Sequence, residues 1–543
     1  MVIGIAVPQT DLIIPSTCLK PCRHIAREYG ASSVFFLRGD SSKILHVHNK
    51  MGDEGNRISE VFRDKIAFIS GASGFLGKVL IEKLLRTTDV KKLHLLIRTK
   101  KGKTPENRLQ DMFNHPLFAM LNELRPDAIK KCHVVPGDVL ETNLGIVEED
   151  RQLLCKEVDF IFHSAATTRF DDTIKYAVQM NTRGTKFMLD LAKQCEKLKC
   201  FVHVSTAYAF PKEDVLYEKA YDPPADPDEV LNSVNWIRED SMADLTKQIL
   251  GDIPNSYTFS KALAEGLVNK EVGKLPVIIV RPAVVIPIFQ DPLPGFFNNL
   301  QSPMGIFIGA GKGVIRSMYM DSKSYANLIP ADCTINIMLV AVWDYLNTGK
   351  KNVFNACVPE TDIKVNWEEI IELGKEVINT QVPFNNIMWY PGGTMTKNRP
   401  WHLINVFLFQ LMPAVFIDAL LLVLGYKPLL YDINKRLFKG QEMFEYYTTK
   451  AWDFNLEYFL SLRKKLTAEE KAVYKVEADG VDLKAYLRDC VMYSRRHIFH
   501  ETDDMLPAAK RNMKIYFILD RIVKIGFFVI LFYYFYRIVF GST

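Results

Sequence analysis

The sequence predicts an α/β protein: a doubly wound parallel sheet, then a small helical C-terminal domain and a C-terminal membrane segment. Three observations carry this. A glycine turn joins a short apolar run to an amphipathic helix within 65–86, short apolar runs alternate with helical stretches as far as Pro282, and long apolar segments appear only beyond Gly392–Gly393. The chain of 543 residues is too long for one core, so more than one domain is expected. Hydrophobic content of 48% and charged content of 24% describe a globular protein, and a net charge of +5 over this length makes no case for nucleic acid. The nine cysteines are odd in number and scattered, without CxxC pairs or histidines at metal spacing. They read as reduced thiols in a cytosolic setting, and no metal site is expected. Residues 1–57 show neither helical nor strand period and form an extension of unknown order, and the opening MVIGIAVPQTDLII lacks the basic start of a secretory signal.

The first strand is KIAFIS, too short for a helix, and Gly71, Gly74 and Gly77 follow it directly. Apolar residues at Phe75, Leu76, Val79, Leu80 and Leu84 then share one helix face. In that context Gly71 permits a tight turn, Gly74 admits a pyrophosphate beside the backbone, and Gly77 lets the helix pack on the strand. The helix N-terminus, with Ser73, Phe75 and Leu76, faces the anion. The GxxGxxG spacing resembles the extended short-chain dehydrogenase/reductase superfamily and its Rossmann-like sheet; the plainer reading is an ordinary glycine-rich connection.

A second strand, KLHLLIR, ends in RTKKGK. No acid stands there for a ribose 2′-hydroxyl. Arg98 and Lys101, with Lys100 and Lys103, offer instead a cationic cradle for a 2′-phosphate, which favours NADPH; a solvated basic loop is the alternative. The third strand, from Cys132, ends at Asp138 and Val139, near where related folds hold adenine. The fourth, VDFIFH, runs into Ser164, Ala165 and Ala166, small enough for a loop to pass under a cofactor. The fifth, CFVHVS, ends at Ser205 and Thr206, and the sixth, VIIVRP, ends at Pro282.

Fifty-one residues after Thr206, Tyr257 and Lys261 form a YxxxK pair, one helical turn apart. An ammonium ~4 Å from the phenol would favour phenolate by up to ~4 kcal/mol at an effective dielectric of about 20, bringing the phenol into range for proton donation to an alkoxide. Thr206 can donate a second hydrogen bond to the same oxygen, with Ser205 turned to the cofactor. The acidic, proline-rich stretch 210–254 reads as an inserted cover over the substrate site.

At this point the resemblance narrows. The stretches GASGFLGKVLIEKLLR, IFHSAATTRFD, HVSTAYAF, YTFSKALAE and DPLPGFFNNLQSPMGIFIGAGKGVIRSMYMDSKSYANLIPADCTINIMLVAVW look like those of alcohol-forming fatty acyl-CoA reductases, notably the expanded insect group, from about Phe62 to about His500. The resemblance implies NADPH-dependent reduction of a long-chain acyl-CoA through an aldehyde to a primary alcohol, with Thr206, Tyr257 and Lys261 as the catalytic set and Gly71, Gly74 and Gly77 as the cofactor turn. The sequence departs where Ser73 replaces a usual threonine, Phe210 an asparagine and Met320-Asp321-Ser322 a Cys-Asn-Pro-like run. A sterol or sugar-nucleotide reductase on the same scaffold and a non-catalytic NADP-binding paralogue are the competing readings.

The expected domains are 58–395 for NADP binding and acyl-CoA reduction, 396–505 as a helical domain serving as an acyl-tail cover or a homodimer contact, and 506–543 as a basic flank and membrane anchor. Residues 403–424 are apolar but carry Asp418, which reads either as a bent, membrane-apposed or acyl-lining helix or as a buried core hairpin. Residues 525–540 are almost wholly apolar, preceded by Lys510, Arg511, Lys514, Arg521 and Lys524, so a span or interfacial anchor at a lipid surface would leave the catalytic mass in the cytosol. The terminal Gly541-Ser542-Thr543 is not a peroxisomal signal, so the endoplasmic reticulum is favoured over the peroxisome.

Overall fold

The computed structural model describes residues 56–300, 303–359, 362, 365–476 and 480–540. Most of the 1–57 extension, with Cys18 and Cys22, therefore lies outside the described residues. The central sheet has seven parallel strands, β1 (Ile66–Ser70), β2 (Lys92–Ile97), β3 (Cys132–Pro136), β4 (Phe160–His163), β5 (Cys200–Val204), β6 (Val277–Pro282) and β7 (Val353–Ala356), in the order β3-β2-β1-β4-β5-β6-β7. The order reverses direction at β1, and ligands of open α/β sheets bind beyond the strand ends at such a switch.

Helices cover both faces, which is why the strands read as continuous apolar runs. On one face Ala67, Ile69, Phe160 and Val202 meet α1 (Phe75–Thr87). On the other, Phe68, Ile161, Phe201 and Ile279 meet α2 (Gly184–Ala192) and α3 (Ser256–Asn269). The long helix α4 (Ala331–Thr348) joins the first face through Ile335, Met338 and Leu339. The strand β7 was not anticipated, because four residues interrupted by Asn355 carry little periodic signal; Asn355 is buried and donates to Leu216 O at 2.9 Å and Asn455 O at 3.0 Å.

The segment 210–254 departs from the expected cover. Its helix Pro227–Trp236 places Leu231 and Val234 in the core beneath α3, and Pro223 and Pro227 press on Gly266 of that helix. It buttresses the back of α3, because its buried side chains match the apolar face there. A fully buried pair fixes the same helix from the sheet side. Arg281 in β6 donates from Nε and Nη2 to Glu265 of α3 at 2.9 and 2.6 Å, with its guanidinium over the rings of Phe210 and Tyr221.

Among the helices that follow β7 are α5 (Trp367–Glu376), α6 (Arg399–Val423), α7 (Leu430–Thr449), α8 (Leu483–Tyr493) and α9 (Leu506–Phe540). Among the described residues α6 is the one helix long and apolar enough to cross a membrane, with 22% of its apolar window buried. The buried-hairpin reading of 403–424 gives way to an exposed apolar helix, with Phe416 at 64% and Val423 at 84% exposure. Its carboxylate is not stranded: Asp418 accepts the backbone N–H groups of Leu429, Leu430 and Tyr431 at 3.0, 3.0 and 2.8 Å, satisfying the start of α7. Residues 525–540 are the exposed end of α9, which meets α6 where the rings of Phe409 and Phe527 lie 6.2 Å apart.

Arg281→Met leaves the Glu265 carboxylate buried and unpaired, which is expected to cost about 3–5 kcal/mol, read as a lower urea midpoint. The double variant Arg281→Met/Glu265→Leu is expected to recover most of that loss.

Candidate active site

The strand ends converge on one rim. Gly71 follows β1 with φ +73°, and a Cβ there would stand 2.7 Å from Ala165 N and 2.8 Å from Ser164 Oγ. The first turn of α1 lies directly on this loop: a Cβ on Gly77 would stand 2.2 Å from Gly71 O. Gly74 caps α1 with its own N–H on Gly71 O at 2.8 Å, and Phe75 and Leu76 are the first helical residues. Ala166 follows β4, beside β1, and Val139, past the end of β3, packs on Gly184 of α2.

The tip of β2 brings cations together. Arg98 donates to Asp138 Oδ2 at 2.7 Å, so one arm of the expected fork is committed to protein. Lys103 is paired with Asp111 at 2.7 Å, and Lys100 and Lys103 close a tight backbone turn that holds Lys101 at φ +52°. A residue the sequence reading missed completes the group. Arg108, on the helix Pro105–Phe113, donates to Ser73 Oγ at 2.8 Å and to Arg98 O at 2.5 Å. Burial and then the Arg98 charge lower its pKa, and the Lys100 ammonium is lowered by burial and then by Arg98, Arg108 and Lys101. Cations crowded this way are relieved by an anion. No local pattern marked Arg108, which stands in a stretch with only loose helical period.

The polar side chains below the rim form a continuous chain. Ser70 Oγ meets His163 Nδ1 at 2.7 Å, His163 Nε2 meets Thr185 Oγ1 at 2.9 Å, Thr185 Oγ1 donates to Asn181 O at 2.6 Å, and Asn181 Nδ2 donates to Ser260 Oγ at 2.9 Å. Glycine turn and α3 are thereby tied together. Asn181 sits in a widened π-type turn, Val178–Arg183, just before α2.

Thr206 stands close enough to Tyr257 to act on its phenol, and its hydroxyl accepts the Tyr208 N–H at 3.3 Å. Lys261, one turn along α3, is buried and donates to Val204 O at 2.6 Å. Burial lowers its pKa to about 8, against a smaller opposing effect of Glu265. The expected drop in the phenol's pKa is not what the geometry gives. Burial raises Tyr257, opposed by Thr206, while burial and then the Lys261 charge hold His163 down at about 3 and lower His203. The lysine ammonium is anchored on the β5 carbonyl Val204 O. Ser205 binds the sheet through its N–H on Val280 O at 2.8 Å, and its Oγ is buried with no hydrogen-bond partner among the described residues. Pro282 ends β6 with its carbonyl on Ala207 N at 2.9 Å.

Above Tyr257 lies an aromatic wall from both halves of the chain. Phe170 lies 5.5 Å from Tyr257 and 5.3 Å from Tyr447, and the Tyr447 hydroxyl meets Asn255 Nδ2 at 2.8 Å and Thr258 Oγ1 at 2.9 Å. Tyr208 packs edge-on against Tyr447 and Trp452. The seven cysteines among the described residues are free, and no group of three or more metal-ligating side chains occurs among those residues.

This is the architecture of a dinucleotide-dependent reductase of the extended short-chain type. Residues 69–338 match an NAD-binding family model described as "Male sterility protein", and residues 409–501 match a second model, Sterile, of the same description. The chain is 33% identical over 460 residues to fatty acyl-CoA reductase 1 of Gallus gallus, covering 84% of this chain and 89% of that one. It is 31% identical over 484 residues to fatty acyl-CoA reductase wat of Drosophila melanogaster, covering 87% and 93%. The chain belongs to the fatty acyl-CoA reductase family. In fold it resembles the terminal R domain of the myxalamid PKS-NRPS pathway, with TM-score 0.55, 18% identity and coverage of 80% of this chain and 92% of that one. The reductase (R) domain of a nonribosomal peptide synthetase from Mycobacterium tuberculosis is similar, with TM-score 0.53, 17% identity and coverage of 83% and 97%. The family assignment removes the sterol and sugar-nucleotide alternatives.

Because burial lowers Lys261 to about 8 from the ordinary 10.5, the unfolded chain holds its proton longer over that interval. Stability is expected to rise by ~3 kcal/mol from pH 8 to 10.5, and the rise should vanish in Lys261→Met when urea midpoints are compared.

Proposed function

We propose that the chain reduces long-chain fatty acyl-CoA to the primary alcohol with NADPH, releasing CoA. The observation that carries this reading is the placement of Thr206, just past the end of β5, where it acts on the Tyr257 phenol of α3, together with a glycine turn and the cations Arg98, Lys100, Lys101 and Arg108, in a member of this family. The turn fits a pyrophosphate, because Gly71 and Gly77 leave no room for a side chain and the N-terminus of α1 opens outward. The cationic rim fits a 2′-phosphate, which supports NADPH over NADH.

Bound NADPH supplies hydride, once to the thioester carbonyl and once to the aldehyde. The chain's own groups handle the oxygen. Tyr257, resting as a neutral phenol, donates its proton to the developing alkoxide, and Thr206 holds the same oxygen through a second hydrogen bond. Lys261 acts after that transfer: its charge, facing the β5 end, stabilises the phenolate left behind. Return of the hydroxyl proton to the phenolate lets the hemithioacetal expel the CoA thiolate, which leaves an aldehyde at the same two residues with Tyr257 neutral again for the second step. Nucleophilic catalysis by cysteine is not required; Cys200, Cys333 and Cys357 are buried with raised pKa values. The exposed apolar surfaces of α6 and α9, with exposed Lys510, Arg511, Lys514, Arg521 and Lys524 on α9, support docking on an anionic lipid surface.

Membranes bearing the expressed chain, given NADPH and acyl-CoAs from C12 to C26, are expected to yield alcohol; aldehyde alone, or no product, overturns the reading. Tyr257→Phe is expected to abolish alcohol formation with NADPH binding intact. Arg108→Ala is expected to raise KM for NADPH about tenfold, the scale of one lost charged contact, and to leave KM for NADH unchanged.

A further inference from the structure

A second space in the molecule takes no part in nucleotide binding. It is an apolar cavity of about 1750 Å³, counting the part open to solvent, walled by Ile286, Phe307, Ile370, Ile378, Tyr486 and Val491 among others. Four stretches of chain supply most of it: the segment after β6, helix α5 with the turn following it, residues 391–395, and α8. Its polar neighbours are turned to protein. Lys375 Nζ is held by Gly393 O at 3.0 Å and Glu372 Oε1 at 2.7 Å, Tyr486 OH donates to Pro287 O at 2.8 Å, and Ser494 Oγ donates to Cys490 O at 2.7 Å. Such walls suit hydrocarbon, not a charged or hydroxylated ligand.

What makes the cavity more than a void is its neighbour. Tyr325 and Asn327 line it on one side and, on the other, line a smaller chamber of about 340 Å³ bounded by Tyr208, Val284, Phe444, Tyr447 and Trp452. That chamber shares Tyr208, Tyr447 and Trp452 with the aromatic wall, whose Phe170 lies against both Tyr447 and Tyr257. The strip is held in place: Tyr208 OH donates to Asn327 O at 3.4 Å, and Asn327 Nδ2 donates to Trp452 O at 3.3 Å.

We propose that this cavity takes the hydrocarbon tail of the acyl substrate, that the Tyr325 to Asn327 strip is the threshold between tail and reacting carbonyl, and that Gly374 sets the chain length admitted. Gly374 lies on α5 in the cavity wall, and a Cβ built there has nothing within 4 Å. A side chain at this position therefore enters open space without displacing protein. It also improves a helix interior, since leucine is a better helix former than glycine, so the substitution does not threaten the fold. This assignment rests on the acyl-CoA reductase reading for the identity of the ligand, but the cavity can be tested apart from turnover.

Two measurements on the full chain in membranes decide it. In the first, wild type and Gly374→Leu are given decanoyl-CoA and stearoyl-CoA with NADPH. The ratio of C18 to C10 alcohol is expected to fall at least tenfold in the variant, and an unchanged ratio in a chain that makes alcohol overturns the cavity assignment while the proposed activity stands. In the second, palmitoyl-CoA with a terminal diazirine is photolysed on the protein and the labelled peptides are mapped. Label within 365–378 or 481–494, diminished in Gly374→Leu, supports the cavity even where no alcohol forms, an outcome in which the activity fails alone. Label confined to α6 and α9, as for a probe lying in the lipid, overturns the tail site.

Discussion

The close contact between the first turn of α1 and the loop after β1 fixes the geometry of everything above the sheet. With Gly71 O where a side chain at Gly77 would begin, the helix lies too near the strand for any other residue, and its N-terminus is held over the sheet's switch point. From the last residue of that strand, the buried hydrogen bonds through His163, Thr185 and Asn181 reach Ser260, so the helix carrying Tyr257 is positioned from the same reference. Arg281 and Glu265 hold that helix from the sheet side. Buried polar groups of this kind stabilise a unique arrangement when each has a partner, and the chain here is paired at every link.

The electrostatics below the rim follow from the same packing. Lys261 is buried against a carbonyl, and burial, then the Lys261 charge, keeps His163 and His203 neutral. In the proposed mechanism the Lys261 charge stabilises the phenolate only once it has formed. That favours the transition state over the resting state, which is where binding energy raises rate.

Much of this was legible in the sequence because its causes are local. The glycine turn, six of the seven strands and the YxxxK turn are set by spacing within a few residues of one another. What escaped was set by contacts across the chain. Arg108 acquires its meaning only from Ser73 and Arg98; Tyr447 is one aromatic in a helical period until it meets Asn255 and Thr258; and β7 is a weak strand that exists because β6 needs a neighbour. Asp418 was read as a cost because its partners, three backbone N–H groups, carry no side-chain signature. The phenol's tuning was misjudged for a similar reason. One-turn spacing places Tyr257 and Lys261 on a common face but does not say which carbonyl captures the ammonium.

The apolar cavity bears on the order of events in a two-step reduction. The nucleotide must be exchanged between the two hydride transfers, and during that interval the half-reduced product no longer carries CoA to hold it at the surface. A tail lodged in hydrocarbon walls gains ~0.8 kcal/mol for each methylene kept from water, so even a ten-carbon run is retained by several kcal/mol. Retention of that size makes escape of the reactive intermediate slow against nucleotide turnover, and gives longer chains the more faithful passage through both halves of the cycle.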